Sequence, residues 1–158
     1  MGYTIAICDD DKTMADKLTA SLKNEFMKAG RNDVIIDYYD TGVQLLETLK
    51  NKMYKAVLLD INMEPMDGFS VAEAIGKSGY RTKIIFVTSH EDVVYDTFDY
   101  TPFYFIRKSR YETYVQRVVK KLIAIDGYEK TIVLDDKDGI ININSGDITY
   151  VHSEDHYL

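Results

Sequence analysis

The sequence predicts an α/β fold built on a parallel sheet, and three observations lead there. Short apolar runs of strand length alternate with segments whose apolar residues recur at helical spacing. The run from Ala56 to Leu59 is apolar without interruption, the pattern of a central strand covered on both faces. Four runs also end on polar groups: Asp9 and Asp10 after Ile5 to Cys8, Asp60 after Val57 to Leu59, Thr88 after Ile84 to Val87, and Lys108 close behind Tyr104 to Ile106. Parallel strands bring their carboxyl ends to one edge, where open α/β sheets hold ligands, so these groups are expected to converge.

The first strand is read at Thr4 to Cys8, followed by a helix from about Lys12 to Ala29. Met14, Leu18, Leu22 and Phe26 recur along that helix at four-residue steps, and Asp11 stands where an N-cap belongs. Val34 to Tyr39 reads as the second strand, and Gly42 to Asn51 as a helix with Leu45, Leu46 and Leu49 on one face, capped by Thr41 or Asp40. After the third strand come a loop from Ile61 to Asp67, a helix over 69–77, a fourth strand from Lys83 to Val87, a helix over 92–100 and a fifth strand from Phe103 to Ile106. A last helix is expected from about Tyr111 to Ile125, with Val115, Val118, Val119, Leu122 and Ile123 on one side and Gly127 as its stop. Beyond it lie short β-type pieces, Thr131 to Leu134, Ile140 to Ile143 and Ile148 to Val151, with Asp138-Gly139 as a hairpin turn.

The bulk composition sets outer bounds. A chain of 158 residues, 46% hydrophobic and 28% charged, has the make-up of a soluble globular protein of one domain or slightly more. No apolar stretch approaches the ~18 residues needed to span a bilayer, and the chain runs straight into a strand instead of a basic, apolar leader. A cytoplasmic protein without membrane contact is the expectation. The single cysteine, Cys8, sits inside an apolar run and reads as a small buried hydrophobe, not a nucleophile. A net charge of −7 argues against a surface devoted to nucleic acid. The densest basic group, Arg107, Lys108 and Arg110 with Arg117, Lys120 and Lys121, is most simply a solvated helix face.

Gathering Asp9, Asp10 and Asp60 is costly, because two like charges about 4 Å apart repel by roughly 4 kcal/mol at an effective dielectric near 20. A divalent cation offsets that cost, and an all-oxygen ligand set with room for water favours Mg²⁺. A lysine and a hydroxyl facing the cluster suit the oxygens of a phosphoryl group. Phosphoryl transfer is the economical reading, with Asp60, alone at the end of the central strand, as the acceptor.

The residues that carry this chemistry match a known family. Tyr3 to about Ile125 resembles the receiver domain of two-component response regulators through Ile7-Cys8-Asp9-Asp10-Asp11, Leu58-Leu59-Asp60-Ile61-Asn62-Met63, Met66-Asp67-Gly68, Phe86-Val87-Thr88-Ser89 and Phe105-Ile106-Arg107-Lys108. The resemblance implies a five-stranded parallel sheet of order 2-1-3-4-5, flavodoxin-like and doubly wound, flanked by helices. It makes Asp60 the phosphoacceptor and assigns Mg²⁺ to Asp10, Asp60 and the backbone carbonyl of Asn62, with Asp9 acting through water. Thr88 would bind a phosphate oxygen, Lys108 would pair with the phosphoryl group, and Phe105 matches the aromatic whose rotamer reports activation. The partner would be a sensor histidine kinase, and a homodimer formed on phosphorylation is compatible with this reading.

Two positions depart from the family pattern. Ser109 follows Lys108 where proline with a cis bond is common; a cis bond to serine costs roughly 3–4 kcal/mol over trans, so the loop is expected to take another course. Pro65 lies one residue later than usual, with Glu64 in the proline position.

The stretch from Ile140 to Tyr157 resembles the opening of a LytTR-type DNA-binding domain. The implied organisation is a receiver over 3–125, a linker over 126–130 and an N-terminal fragment of the DNA-binding domain over 131–158. From Thr131 onward, Asp135, Asp136, Asp138, Asp147, Glu154 and Asp155 face Lys137 alone, so promoter DNA would be bound only through the complete C-terminal domain. His90, His152 and His156 read as surface or half-buried residues. The rival from the enzyme class is a Mg²⁺-dependent phosphohydrolase working through an aspartyl phosphate. Its acid/base would stand two residues after the nucleophile, where this chain has Asn62, and an amide cannot shuttle the proton. A nucleotide- or flavin-binding domain fits less well, since Asp9-Asp10-Asp11 stands where a glycine-rich phosphate loop would be.

Overall fold

In the computed structural model, which describes residues 2–90, 99–128, 131–136 and 139–144, five strands form one parallel sheet of order β2-β1-β3-β4-β5. They are β1 (Tyr3–Cys8), β2 (Val34–Tyr39), β3 (Ala56–Asp60), β4 (Lys83–Thr88) and β5 (Tyr104–Arg107). The helices α1 (Lys12–Lys28), α2 (Gly42–Leu49) and α3 (Gly68–Lys77) alternate with them, and α4 (Tyr111–Tyr128) follows a 3₁₀ turn over Lys108–Arg110. This is the fold class and strand order expected. The helix anticipated over 92–100 and the strand at Ile148 to Val151 fall almost wholly or wholly outside the described residues.

Every residue of β3 is buried, and the strand takes the middle of the sheet, as its unbroken apolar run requires. On α1, Met14, Leu18, Leu22 and Phe26 are all buried, and Asp11 caps the helix by accepting from the Met14 N–H at 3.1 Å. Thr41, not Asp40, caps α2, its hydroxyl accepting from the Gln44 N–H at 3.3 Å. Asp67 caps α3 through Ser70 at 2.7 Å.

The stop expected at Gly127 is not there. Helix α4 runs through Gly127 to Tyr128, so it extends into the stretch read as a linker over 126–130. A glycine ends a helix by taking positive φ; among the described residues Gly30 and Gly79 do so, and Gly127 does not. The chain divides into two compact units, Met1–Val119 and Lys120–Leu158. In the second, β6 (Thr131–Asp136) pairs antiparallel with β7 (Gly139–Asn144); Gly139 opens β7 opposite Asp136, and Asp138 of the expected hairpin turn lies outside the described residues. Among the described residues no helix is long and apolar enough to cross a membrane.

A polar network ties the edge strand β2 to the segment that leads into β3. The Tyr54 hydroxyl and the Lys52 ammonium both reach Asp37 Oδ2, and the Tyr39 and Tyr54 hydroxyls lie 2.6 Å apart. Burial pushes the Asp37 carboxyl upward, but the hydrogen bonds from Lys52 and Tyr54 and the lysine's charge outweigh it and hold the pKa below the usual range. A depressed carboxyl stabilises the fold above its unfolded pKa and loses that contribution as pH falls through the folded value. Asp37→Asn is therefore expected to cost about 1 kcal/mol at neutral pH, the usual charged-hydrogen-bond value discounted for partial exposure. The difference should shrink below about pH 4. Urea melts of both proteins at pH 7 and pH 3 check it; a gap as large at pH 3 as at pH 7 would rule the network out as its source.

Gly68 closes the other side of β3. Its N–H donates to the Ile61 carbonyl at 2.9 Å, and a Cβ there would lie 2.2 Å from the Asp60 carbonyl oxygen and 2.8 Å from Ile61 Cα. Backbone cannot yield as a side-chain tip can, so Gly68→Ala should destabilise by about 1–3 kcal/mol. Gly76 lies on the same helix with nothing within 4 Å of its would-be Cβ, and Gly76→Ala should stabilise by roughly 0.5–1 kcal/mol. Thermal melts of the two variants side by side decide it, and equal melting temperatures would contradict the contact.

Candidate functional site at the carboxyl edge of the sheet

The last pair between β1 and β2 is Cys8 with Tyr39. One residue further, Asp9 is held from three directions: its N–H donates to the Tyr39 carbonyl at 3.1 Å, its carbonyl accepts from the Tyr38 hydroxyl at 3.0 Å, and its Oδ1 accepts from the Asp11 N–H at 2.9 Å. Asp9 is 1% exposed, whereas Asp10 next to it faces solvent. Asp60 ends β3 at 3% exposure. Carboxylate oxygens of Asp9, Asp10 and Asp60 all lie within 4.8 Å of one another. The convergence expected from strand order is what the backbone delivers.

Lys108 opens the 3₁₀ turn after β5. The Glu64–Pro65 bond is the only cis peptide among the described residues, so Lys108–Ser109 is trans, as serine dictates. The lysine still reaches the cluster, its Nζ 2.9 Å from Asp9 Oδ2 and 3.3 Å from Asp60 Oδ1. The contact with Asp9 Oδ2 is an ion pair without hydrogen-bond alignment, and that buried oxygen has no hydrogen-bond partner.

The electrostatics follow from this geometry. Burial, then the neighbouring Asp9 charge, pushes the Asp60 carboxyl up to about 6 against the opposing pull of Lys108. Burial works to lower the Lys108 ammonium, but its close pairing with Asp9 and the charge of Asp60 prevail and hold it up. One ammonium against three carboxylates leaves the cluster negative. Oxygen-only donors, residual negative charge and a buried oxygen without a hydrogen-bond partner fit a hard divalent cation such as Mg²⁺, and Asp9, Asp10 and Asp60 are the residues that could hold it.

Asn62 lies exposed on the loop after β3, between buried Ile61 and Met63. Thr88 ends β4 one step beyond Val87, the register partner of Asp60. It is 1% exposed, and its hydroxyl accepts from the His90 N–H at 3.1 Å, which leaves its own proton to donate. Phe105 on β5 pairs with Phe86 and packs half-buried on the core. Cys8 is buried, its thiol pushed up to about 12 by burial and then by Asp9 and Asp60, which suits the inert role expected of it. His90, Arg110, Arg117, Lys120 and Lys121 are exposed, and His152 and His156 lie outside the described residues.

The roles of two contributors were not legible in the sequence. Tyr38 reads there as one more aromatic of an edge strand, and only the register Ile7↔Tyr38 brings it level with the site. Gly68 stood within a matched motif, but its closeness to the Asp60 backbone needs the loop's path.

Residues 5–120 match the family model of the response regulator receiver domain. The transcriptional regulatory protein YpdB of Escherichia coli K12 is 28% identical over 90 residues, 57% of this chain and 37% of YpdB. Protein MrkE of Klebsiella pneumoniae is 27% identical over 88 residues, 56% of this chain and 33% of MrkE. The matched region thus spans about a third of the length of these curated relatives. Among solved structures, the response regulatory domain of MrkE from K. pneumoniae superposes with a TM-score of 0.68 at 22% identity, over 77% of this chain and 96% of that one. The response regulator TrrA of Thermotoga maritima, in complex with Mg²⁺ and BeF, gives 0.63 at 28% identity, over 77% and 99%. With its sheet order, its carboxyl-edge cluster and a family match over most of its length, this chain belongs to the response regulator receiver domain family.

Proposed function

We propose that this chain accepts a phosphoryl group from a sensor histidine kinase on Asp60 and uses it to switch a transcriptional output. The observation that carries the reading is Lys108, its ammonium drawn between the buried carboxylates of Asp9 and Asp60. Domain boundaries at 3–125, 126–130 and 131–158, a LytTR-type DNA-binding output, a homodimer formed on phosphorylation and a cytoplasmic location belong to the same proposal. The resemblance of the tail and the printed role of YpdB in transcription support the output; TrrA, solved with Mg²⁺ and BeF, supports the metal.

Chemically, a carboxylate oxygen of Asp60 attacks phosphorus as the bond from phosphorus to the donor imidazole nitrogen breaks. That electron pair leaves with the imidazole, which is then protonated. Bound Mg²⁺, held by Asp10, Asp60 and the Asn62 carbonyl with Asp9 behind it, would neutralise charge on the phosphoryl oxygens. Lys108 pairs with one of those oxygens and Thr88 donates its hydroxyl proton to another. Asn62 offers no general base for water, so hydrolysis of the acyl phosphate is slow. Drawing Thr88 and Lys108 inward repacks Phe105 and biases the face formed by the segment before β5, β5 and α4 between two arrangements.

Incubation with acetyl phosphate and Mg²⁺ should yield one labile adduct of phosphoryl mass, absent from Asp60→Asn and read by mass spectrometry. Steady multiple turnover of a small phosphoester would instead favour the hydrolase reading. Lys108→Met tests the electrostatics with two readouts of opposite sign. Removing a cation that competes for the same carboxylates should tighten Mg²⁺ binding severalfold by calorimetry, while adduct formation slows by at least about tenfold for want of the charge on the phosphoryl oxygens. Both readouts moving the same way would defeat the assigned role.

A further inference from the structure

We infer that Tyr38 is a positioning residue for the metal site, its hydroxyl setting the orientation of Asp10 through the peptide between Asp9 and Asp10. The inference rests on the proposed Mg²⁺ reading of the acidic cluster. Main-chain pairing between β1 and β2 ends at Cys8↔Tyr39, with one further bond from the Asp9 N–H to the Tyr39 carbonyl. The Asp9 carbonyl lies past the point where the ladder supplies a donor, and the Tyr38 phenol takes that place at 3.0 Å. That carbonyl belongs to the peptide unit that carries the Asp10 nitrogen, so fixing its direction fixes where Asp10 leaves the backbone.

The phenol is itself held. The Lys12 ammonium sits 4.8 Å from the centre of the Tyr38 ring and pairs with Asp16 one helical turn on. Lys12 opens α1, whose cap is Asp11, and the Asp11 N–H binds Asp9 Oδ1. Tyr38 thus closes a ring of contacts running from β2 to Asp9, Asp11, Lys12 and back. Asp9 is fixed by this ring directly. Asp10, exposed to solvent, depends on the peptide that the phenol aims.

Tyr38→Phe removes the hydroxyl and keeps the ring beneath Lys12. Calorimetry should show Mg²⁺ bound roughly 10-fold more weakly, the usual size of an outer-shell loss. In the acetyl phosphate reaction the half-saturating Mg²⁺ concentration should rise by the same factor, with the rate at saturating Mg²⁺ unchanged. Amide exchange at Asp10 and Asp11, followed by NMR without metal, should quicken while the interior of β3 keeps its protection. A Mg²⁺ affinity within twofold of wild type, or a reduced rate at saturating Mg²⁺ with unaltered affinity, overturns the inference. If the wild type itself takes up no Mg²⁺, the metal reading falls and this one with it, whereas wild-type uptake with an indifferent Tyr38→Phe defeats this one alone.

Discussion

Two buried carboxylates facing a single ammonium set the terms for everything else at the sheet's edge. Asp9 and Asp60 are almost fully enclosed, and the Lys108 ammonium between them offsets part of the cost of burying their charge. The order β1-β3-β4-β5 makes that contact demanding, because the lysine follows a strand two places from β3 and three from β1. At about 4.8 Å per strand, Lys108 must cross roughly 10 Å of sheet edge to reach Asp60. The 3₁₀ turn that Lys108 opens and the reach of its side chain close the gap. A long, flexible stem ending in a compact charge suits this reach, and the planar fork of an arginine would not fill the same space.

The core beneath the site is organised around the same strands. Phe86 lies two residues before Thr88 on β4, so the two point to the same face, and Phe105 stands opposite Phe86 on β5. Phe69 packs against Phe86 with ring centres 5.5 Å apart, and Tyr100 stacks on Phe69 at 5.1 Å. On the proposed reading, a displacement of the Thr88 hydroxyl would be passed to this layer of rings, which can repack but cannot be compressed. That layer is the physical continuity through which a charge at Asp60 would be felt along β4 and β5.

Much of this was legible in the chain because its signals are local. The cap at Asp11, the four-residue spacing on α1, the unbroken apolar run of β3 and the polar groups after four of the strands depend on neighbours in sequence. The strand order came with the family resemblance, and once given it brings Asp9, Asp10, Asp60 and Lys108 together. What stayed hidden depends on distant partners or on φ. Tyr38 needs the β1–β2 register, Gly68 needs the path of the loop after Asp60, and the role of Gly127 turned on a dihedral angle that composition does not encode.

The acidic pair also divides its labour in a way that burial alone explains. Asp9 is locked by its own backbone bonds and by Asp11, and being enclosed it carries most of the desolvation cost. Asp10 remains in water, where an ionised carboxylate costs little, and its side chain is free to adjust. A Mg²⁺ ion demands near-ideal octahedral geometry and gives up its waters reluctantly. A site made only of locked carboxylates would have to meet that geometry without error, and one made only of exposed carboxylates would gather too little field. For the Mg²⁺ ion proposed above, one fixed carboxylate, one adaptable carboxylate and one on the central strand would meet both demands, which gives a reason for acidic residues to stand side by side at the end of β1.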